Sequence, residues 1–238
     1  LHRLDKILVD TGRYTRSEAK GLIGQGRVTV NGGVVRQAAE KFDRSAVEIA
    51  VSGQVLATEE FVYLMMNKPA GVLSATRDGN GETVLDLLPP HYKKLGLFPA
   101  GRLDKDSVGL LLLTNDGALA HDLLHPKHHV EKRYYVEVTG VLAGADAAAF
   151  KAGMTMASGE VFLPAGLELL DKENAAIVVL REGKYHQIKR MLGSLGKPVA
   201  YLKRLSMGAL TLDEALGEGD FRSLTEVEQS EILLHKRQ

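Results

Sequence analysis

The chain has 238 residues, 45% hydrophobic and 25% charged, with thirty basic side chains balanced by thirty acidic ones. Such a composition describes a folded globular protein long enough for one sizeable domain and a small one. There is no cysteine, which excludes disulfides, a thiolate nucleophile and cysteine-bound zinc or iron–sulfur centres.

No run approaches the roughly 18 to 20 apolar residues of a membrane span. The start Leu1-His2-Arg3-Leu4-Asp5 lacks the pattern of a secretory leader, so a cytoplasmic protein with no membrane partner is expected. The neutral total hides local charge: residues 1 to 50 carry nine Lys/Arg against six Asp/Glu, residues 181 to 204 seven against one, and residues 205 to 238 three against seven. Attraction to phosphate follows such patches rather than the sum.

Leu4, Ile7 and Leu8 fall at helical spacing and Gly12 closes that segment. Thr15 and Glu18 form a Thr-x-x-Glu capping box opening a second helix through Ala19, Leu22 and Ile23, ended by Gly24 and Gly26. Val28 and Val30 alternate as a strand, Asn31-Gly32 is a favoured two-residue hairpin turn, and a further strand is expected near Val47 to Val51. Arg3, Lys6, Arg13, Arg16, Lys20 and Arg27 gather on these helices and their junctions. They read either as a cationic face for a phosphate backbone or as a solvated helix surface. Asp5 lies on a helix whose apolar face belongs to Leu4, Ile7 and Leu8, so it is expected at the surface. The order Arg3-Leu4-Asp5-Lys6, Gly12, Thr15-Arg16, Ala19, Leu22-Ile23, Gly26, Val28, Val30-Asn31-Gly32 resembles the alpha-L, S4-like RNA-binding module, which favours the phosphate reading.

Residues 52 to 60 read as a linker or last strand, and the strand 61 to 66 opens a second domain, giving expected domains of 1–59 and 60–238. Lys68-Pro69-Ala70-Gly71 reads as a rigid turn with an architectural role. Apolar segments near 110 to 113, 134 to 138, 161 to 169 and 175 to 180 alternate with helical stretches at Gly117 to Leu124 and His186 to Gly193, without a regular βαβ repeat. The fold class is therefore α+β, with a mixed, mostly antiparallel sheet flanked by helices.

Leu110 to Leu113 reads as a buried central strand closed by Asn115-Asp116-Gly117, so the loop before it is anchored. In that loop Asp104 stands between Arg102 and Lys105. Nearby cations favour an ionised carboxylate, which suits a nucleophile or a base, although an R-x-D-K string alone is more often an ordinary loop. The span Pro99 to Gly117, with Gly101-Arg102-Leu103-Asp104 at its centre, resembles the catalytic motif of RNA pseudouridine synthases of the RsuA/RluB group. Asn67 to Val72, Val130 to Val136 and Glu182 to Met191 resemble further segments of that family, in its order. Ser107 and Val108 depart from it, where Thr and Glu are common.

The resemblance implies isomerisation of a uridine in RNA: the N-glycosidic bond breaks, the base turns and rejoins the sugar through carbon. No electron or phosphate is transferred, so no cofactor or metal is expected. It assigns the chemistry to Asp104, as nucleophile or as base. Tyr134 would stack on the uracil and serve in proton transfer, and Lys189 would pair with Asp104. Arg102 would support the RNA after the base departs or bind a phosphate, and Arg190, about a quarter turn from Lys189, would meet phosphate. The structural alternative is a strand tyrosine packed in the core, for which Tyr135 is the candidate by alternation. The Tyr185-His186-Gln187 form, with Gly208 to Asp213 after it, is more similar to the RsuA branch, which implies small-subunit 16S ribosomal RNA modified at uridine 516. Ribosomal RNA or a small-subunit assembly intermediate is the expected partner of a monomeric enzyme. Alternatives are a large-subunit 23S enzyme of the RluB/RluE/RluF type and a non-catalytic assembly factor, against which the joint presence of Asp104, Tyr134 and Lys189 argues.

His121 and His125, at i and i+4, have the spacing of zinc ligands, but there is no His-Glu start and no evident third ligand. Gly24-Gln25-Gly26 and Gly79-Asn80-Gly81 lead to no nucleotide-binding fingerprint and read as turns.

Overall fold

The computed structural model describes residues 1–56 and 61–234. The chain forms two compact units, Leu1–Val62 with Leu85–Leu97, and Tyr63–Val84 with Phe98–Gln238. The stretch 85–97, placed by sequence with the second domain, groups with the first. The boundary expected between 59 and 60 lies outside the described residues.

In the first unit, α1 (Leu4–Asp10) and α2 (Arg16–Gly24) bury Leu4, Ile7, Leu8, Ala19 and Ile23 against Val28, Val30, Ile49 and Val51. The strands β1 (Val28–Val30), β2 (Gly33–Val34), β3 (Ile49–Val51) and β4 (Gln54–Leu56) form an antiparallel sheet in the order β2-β1-β3-β4. Both halves of the capping box are made: Thr15 N–H donates to Glu18 Oε2 at 2.7 Å and Glu18 N–H to Thr15 Oγ1 at 3.3 Å, a cap worth about 1 kcal/mol. Asn31 and Gly32 both have positive φ, 48° and 80°, as the primed hairpin turn demands.

Asp5 corrects the reading of that helix, because its side chain is buried rather than at the surface. The Arg3 guanidinium binds both its oxygens, at 3.0 and 2.8 Å, and holds the carboxyl below its ordinary pKa against the opposing effect of burial. A buried carboxylate is tolerable when a planar fork neutralises it; periodicity alone could not show that neighbour.

The second unit is built on a sheet of nine strands among the described residues. Its elements are β5 (Tyr63–Lys68), β6 (Phe98–Ala100), β7 (Val108–Thr114), α3 (Gly117–Leu124), β8 (Lys132–Val138), α4 (Gly144–Ala152), β9 (Gly166–Leu169), β10 (Ala175–Leu180), α5 (Gln187–Ser194), β11 (Val199–Met207), β12 (Leu210–Thr211), β13 (Phe221–Ser223) and α6 (Glu226–Leu234). The main order is β9-β10-β8-β11-β7-β5-β13, with β6 on β7 and β12 on β11. All these pairs are antiparallel except β11 with β7, so the sheet is mixed, as expected.

Leu110 to Leu113 are fully buried in β7, each contributing about 1.5 to 3 kcal/mol relative to exposure. One core packs α4 and α5 against β8, β9, β10 and β11, through Val136, Phe150, Val178, Met191 and Leu202. The other packs α3 and α6 against β5 and β7, through Met65, Leu112, Leu119, Leu123 and Ile232. The parallel contact needs Gly109: its φ is +103°, and a Cβ there would lie 2.3 Å from the carbonyl oxygen of Arg204. This close approach fixes the start of β7, and hence the loop before it, against β11.

Candidate active site

Asp104 sits in the turn entering β7, held from three directions. Lys68, at the end of β5, is fully buried, and its ammonium donates to the carbonyls of Pro69, Asp104, Lys105 and Ser107 at 2.9, 3.2, 3.3 and 2.9 Å. The Gly71 N–H donates to the Lys105 carbonyl at 2.7 Å. Ser74 Oγ donates to the Leu103 carbonyl at 3.0 Å and accepts from the Leu103 N–H at 3.1 Å. Burial pushes the Lys68 pKa down to about 8 despite the nearby charges of Asp106 and Asp104. The segment expected to be a rigid turn is thus a clamp, with a cation spent on backbone carbonyls.

Lys189, on the first turn of α5, reaches Asp104 Oδ2 at 2.9 Å and Asp106 Oδ1 at 2.5 Å. The amphipathic sequence of α5 produces this: Ile188, Met191 and Leu192 are buried, which orients the helix. Burial lowers the Lys189 pKa, and the bonds to Asp106 and Asp104 more than offset that, leaving it above its ordinary value. Asp106 is correspondingly lowered by its bond to Lys189. His186, capping α5 with φ +49° and ψ 31°, brings Nε2 to 3.4 Å from Asp104 Oδ1. The cation at Asp104, the Lys189 ammonium, therefore comes from α5. Its sequence neighbours Arg102 and Lys105 are exposed and form no ion pair among the described residues.

Asp104, Arg102, Ser107, Tyr134, Lys189 and Leu202 line one cleft of about 460 Å³, its open side included. Tyr134 is buried in the core and lines that cleft as well. Tyr135 does not take the core position expected of it: it is half-buried, donates to Glu137 Oε1 at 2.5 Å and meets Tyr201 edge-on at 6.1 Å. Strand alternation decides this, because Tyr134 shares the inward set of β8 with Val136 and Val138. The Ser107 hydroxyl is buried without a hydrogen-bond partner among the described residues.

Arg190, expected to meet phosphate, is engaged within the protein. It pairs with Glu160 at 2.7 Å and lies over the Phe162 ring at 4.8 Å. In the first unit, Arg3 is engaged by Asp5, whereas Lys6, Arg13, Arg16, Lys20 and Arg27 are exposed and unpaired among the described residues.

Lys68, Ser74, His186 and Ser107 are members of the site that sequence reasoning does not single out. Lys68, Ser107 and His186 lie inside the motifs quoted above and Ser74 just outside them, but the carbonyl partners of Lys68 and the orphan hydroxyl of Ser107 require coordinates. Chemically, the cleft offers a carboxylate beside a shared ammonium, a buried tyrosine ring and an apolar wall, which suits a flat base and the sugar attached to it.

The family model described as RNA pseudouridylate synthase matches residues 62–194, and that of the S4 domain residues 2–47. The chain is 45% identical over 229 residues to an uncharacterized RNA pseudouridine synthase, YtzG, of Bacillus subtilis, covering 95% of this chain and 96% of that one. It is 39% identical over 231 residues to the ribosomal small subunit pseudouridine synthase A of Vibrio cholerae, covering 97% and 99%. A crystal structure of a pseudouridylate synthase superposes with a TM-score of 0.68 at 36% identity, covering 98% of this chain and all of that one.

Proposed function

We propose, for a chain that belongs to the RNA pseudouridine synthase family and carries an amino-terminal S4 domain, that its substrate is a uridine of small-subunit ribosomal RNA, at position 516 of 16S rRNA. The observation carrying this reading is the pinned Asp104, paired with Lys189 in the cleft that Tyr134 lines. The small-subunit assignment is supported by relatives such as the Vibrio cholerae enzyme, matched over nearly the whole chain.

Extruding a uridine costs a few kcal/mol, which contacts in the cleft must offset. In the proposed reaction the uracil lies against Tyr134, and Asp104 acts on the sugar or base as the N-glycosidic bond breaks. Lys189 holds its ammonium 2.9 Å from Asp104 Oδ2, and the carbon–carbon bond then forms with loss of the C5 proton and gain of one at N1. Ser107, whose buried hydroxyl lacks a partner among the described residues, would meet a polar group of the nucleotide. The exposed cations of the first unit meet phosphates along the RNA.

The test is a pseudouridine map of 16S and 23S rRNA after treatment with the purified protein, as naked RNA and as small-subunit assembly intermediate. One new pseudouridine in 16S rRNA is expected. Modification confined to 23S rRNA would replace the small-subunit assignment, and none in any RNA would remove the enzymatic one.

A further inference from the structure

We propose that the stacked rings of Tyr185 and His186 form a second base-binding subsite beside the cleft, taking one unpaired nucleobase adjacent in the strand to the uridine held at Asp104. The proposal rests on the RNA-modifying reading above and extends it to a neighbouring nucleotide.

The two rings lie 3.8 Å apart between centroids and 18° from parallel. Exposure rises outward along the series: 27% for the Asp104 side chain, 36% for His186 and 75% for Tyr185. One face of the Tyr185 ring is thus spent on His186 and most of the rest meets solvent. His186 holds this arrangement in a left-handed backbone conformation, although its side chain makes no capping bond to α5. A non-glycine residue kept there at a site points to a constraint on where its ring must be. Here the constraint places the imidazole 3.4 Å from Asp104 on one side and under Tyr185 on the other.

The chemistry that recognises such a platform is a π-face. When a uridine leaves its stack, its neighbours lose a stacking partner, and unstacked bases in RNA are held on exposed aromatic rings. Stacking tolerates any base, so the subsite contributes affinity and position without reading sequence.

The experiment couples residue to base. A 16S rRNA fragment spanning position 516 is prepared intact and with an abasic ribose at the nucleotide before or after the target. KM, kcat and Kd are measured for the parent and for Tyr185→Ala, Tyr185→Trp and Tyr185→Leu. Tyr185→Ala and Tyr185→Leu should bind about 5- to 100-fold more weakly with kcat little changed, and Tyr185→Trp should recover affinity. One of the two abasic RNAs should cost the parent a similar factor and cost Tyr185→Ala nothing more, because the missing ring and the missing base belong to one interaction. A 2-aminopurine at that nucleotide should be quenched by the parent and not by Tyr185→Ala. Equal losses for parent and Tyr185→Ala on both abasic RNAs, or Tyr185→Leu binding as tightly as the parent, would overturn the subsite. Failure of the parent to modify the fragment bears on the proposed function instead, since the coupling is read independently in Kd.

Discussion

Replacing Lys68 with Met keeps the length of the side chain and removes the ammonium that ties down the Asp104 turn. The carbonyls of Pro69 and Ser107 lose their 2.9 Å bonds, while those of Asp104 and Lys105 keep donors in the Ser107 and Gly71 N–H groups. Left short of a donor, the buried Ser107 carbonyl costs about 1 to 3 kcal/mol and the half-buried Pro69 carbonyl, which water can reach, about 0 to 3 kcal/mol, or about 1 to 6 kcal/mol together. Against this, the fall in the Lys68 pKa from 10.5 to about 8 corresponds to about 3 kcal/mol by which burial opposes the charged form, a cost the variant no longer carries. The variant should therefore be destabilised by between about −2 and +3 kcal/mol. Activity should respond far more, because misplacing a reacting group by about 1 Å costs about 100-fold in rate. Urea unfolding and single-turnover pseudouridine formation on the same preparations test this. The parent should also gain stability between pH 8 and 10.5, where the unfolded chain keeps the Lys68 and Lys132 protons and the folded one loses both, and the variant should keep only the Lys132 part of that slope. A Lys68→Met protein with the parent's rate, or one that loses rate only in proportion to unfolding, would refute the clamp.

Changing Arg13, Arg16 and Lys20 together to Gln should flatten the log–log salt dependence of RNA binding by about 0.7 to 0.9 for each phosphate no longer neutralised; an unchanged slope would remove these residues from the interface. Ser107→Ala should raise the melting temperature, since among the described residues its buried hydroxyl has no partner and an unpaired buried polar group costs stability. It should lower kcat/KM about 2- to 10-fold if that hydroxyl meets the nucleotide, and an unchanged kcat/KM excludes the interaction. The bond from Arg222 is the largest influence drawing the Glu228 pKa from 4.5 to about 2, so its stabilisation is present above pH 4.5 and lost as pH falls toward 2. The shift corresponds to at most about 3 kcal/mol, reduced to about 1 to 2 kcal/mol by solvent screening; Glu228→Gln should lose that dependence in urea unfolding at pH 3 and 6, and an identical profile would contradict it.

Legibility follows the range of the physics involved. The capping box at Thr15, the Asn31-Gly32 turn and the leucine run of β7 depend on a few adjacent residues, and all three are where the sequence places them. The strand β11 is hidden because Lys203, Arg204 and Ser206 interrupt its apolar positions; Arg204 is nonetheless buried and donates to the Leu110 carbonyl at 2.7 Å. The helix α4 is hidden because Gly144-Ala145-Asp146-Ala147-Ala148-Ala149 shows almost no apolar stripe, its core anchor being Phe150. At the site, Asp104, Tyr134 and Lys189 are legible through the family motif. Lys68 looks like part of a turn because three of its four partners are carbonyls at least 36 residues away. Asp5 is misread although its partner Arg3 is only two residues away, since helical spacing says which way a side chain leaves the helix and not what waits there.

If Asp104 performs the chemistry while the remaining surface binds RNA, the two functions must separate in one variant. Asp104→Asn keeps the shape of the side chain and removes its charge. Applied to 16S rRNA beside the parent, it should bind with an affinity within a few-fold of the parent and yield no pseudouridine. A pseudouridine map identical to the parent's would place the catalytic group elsewhere.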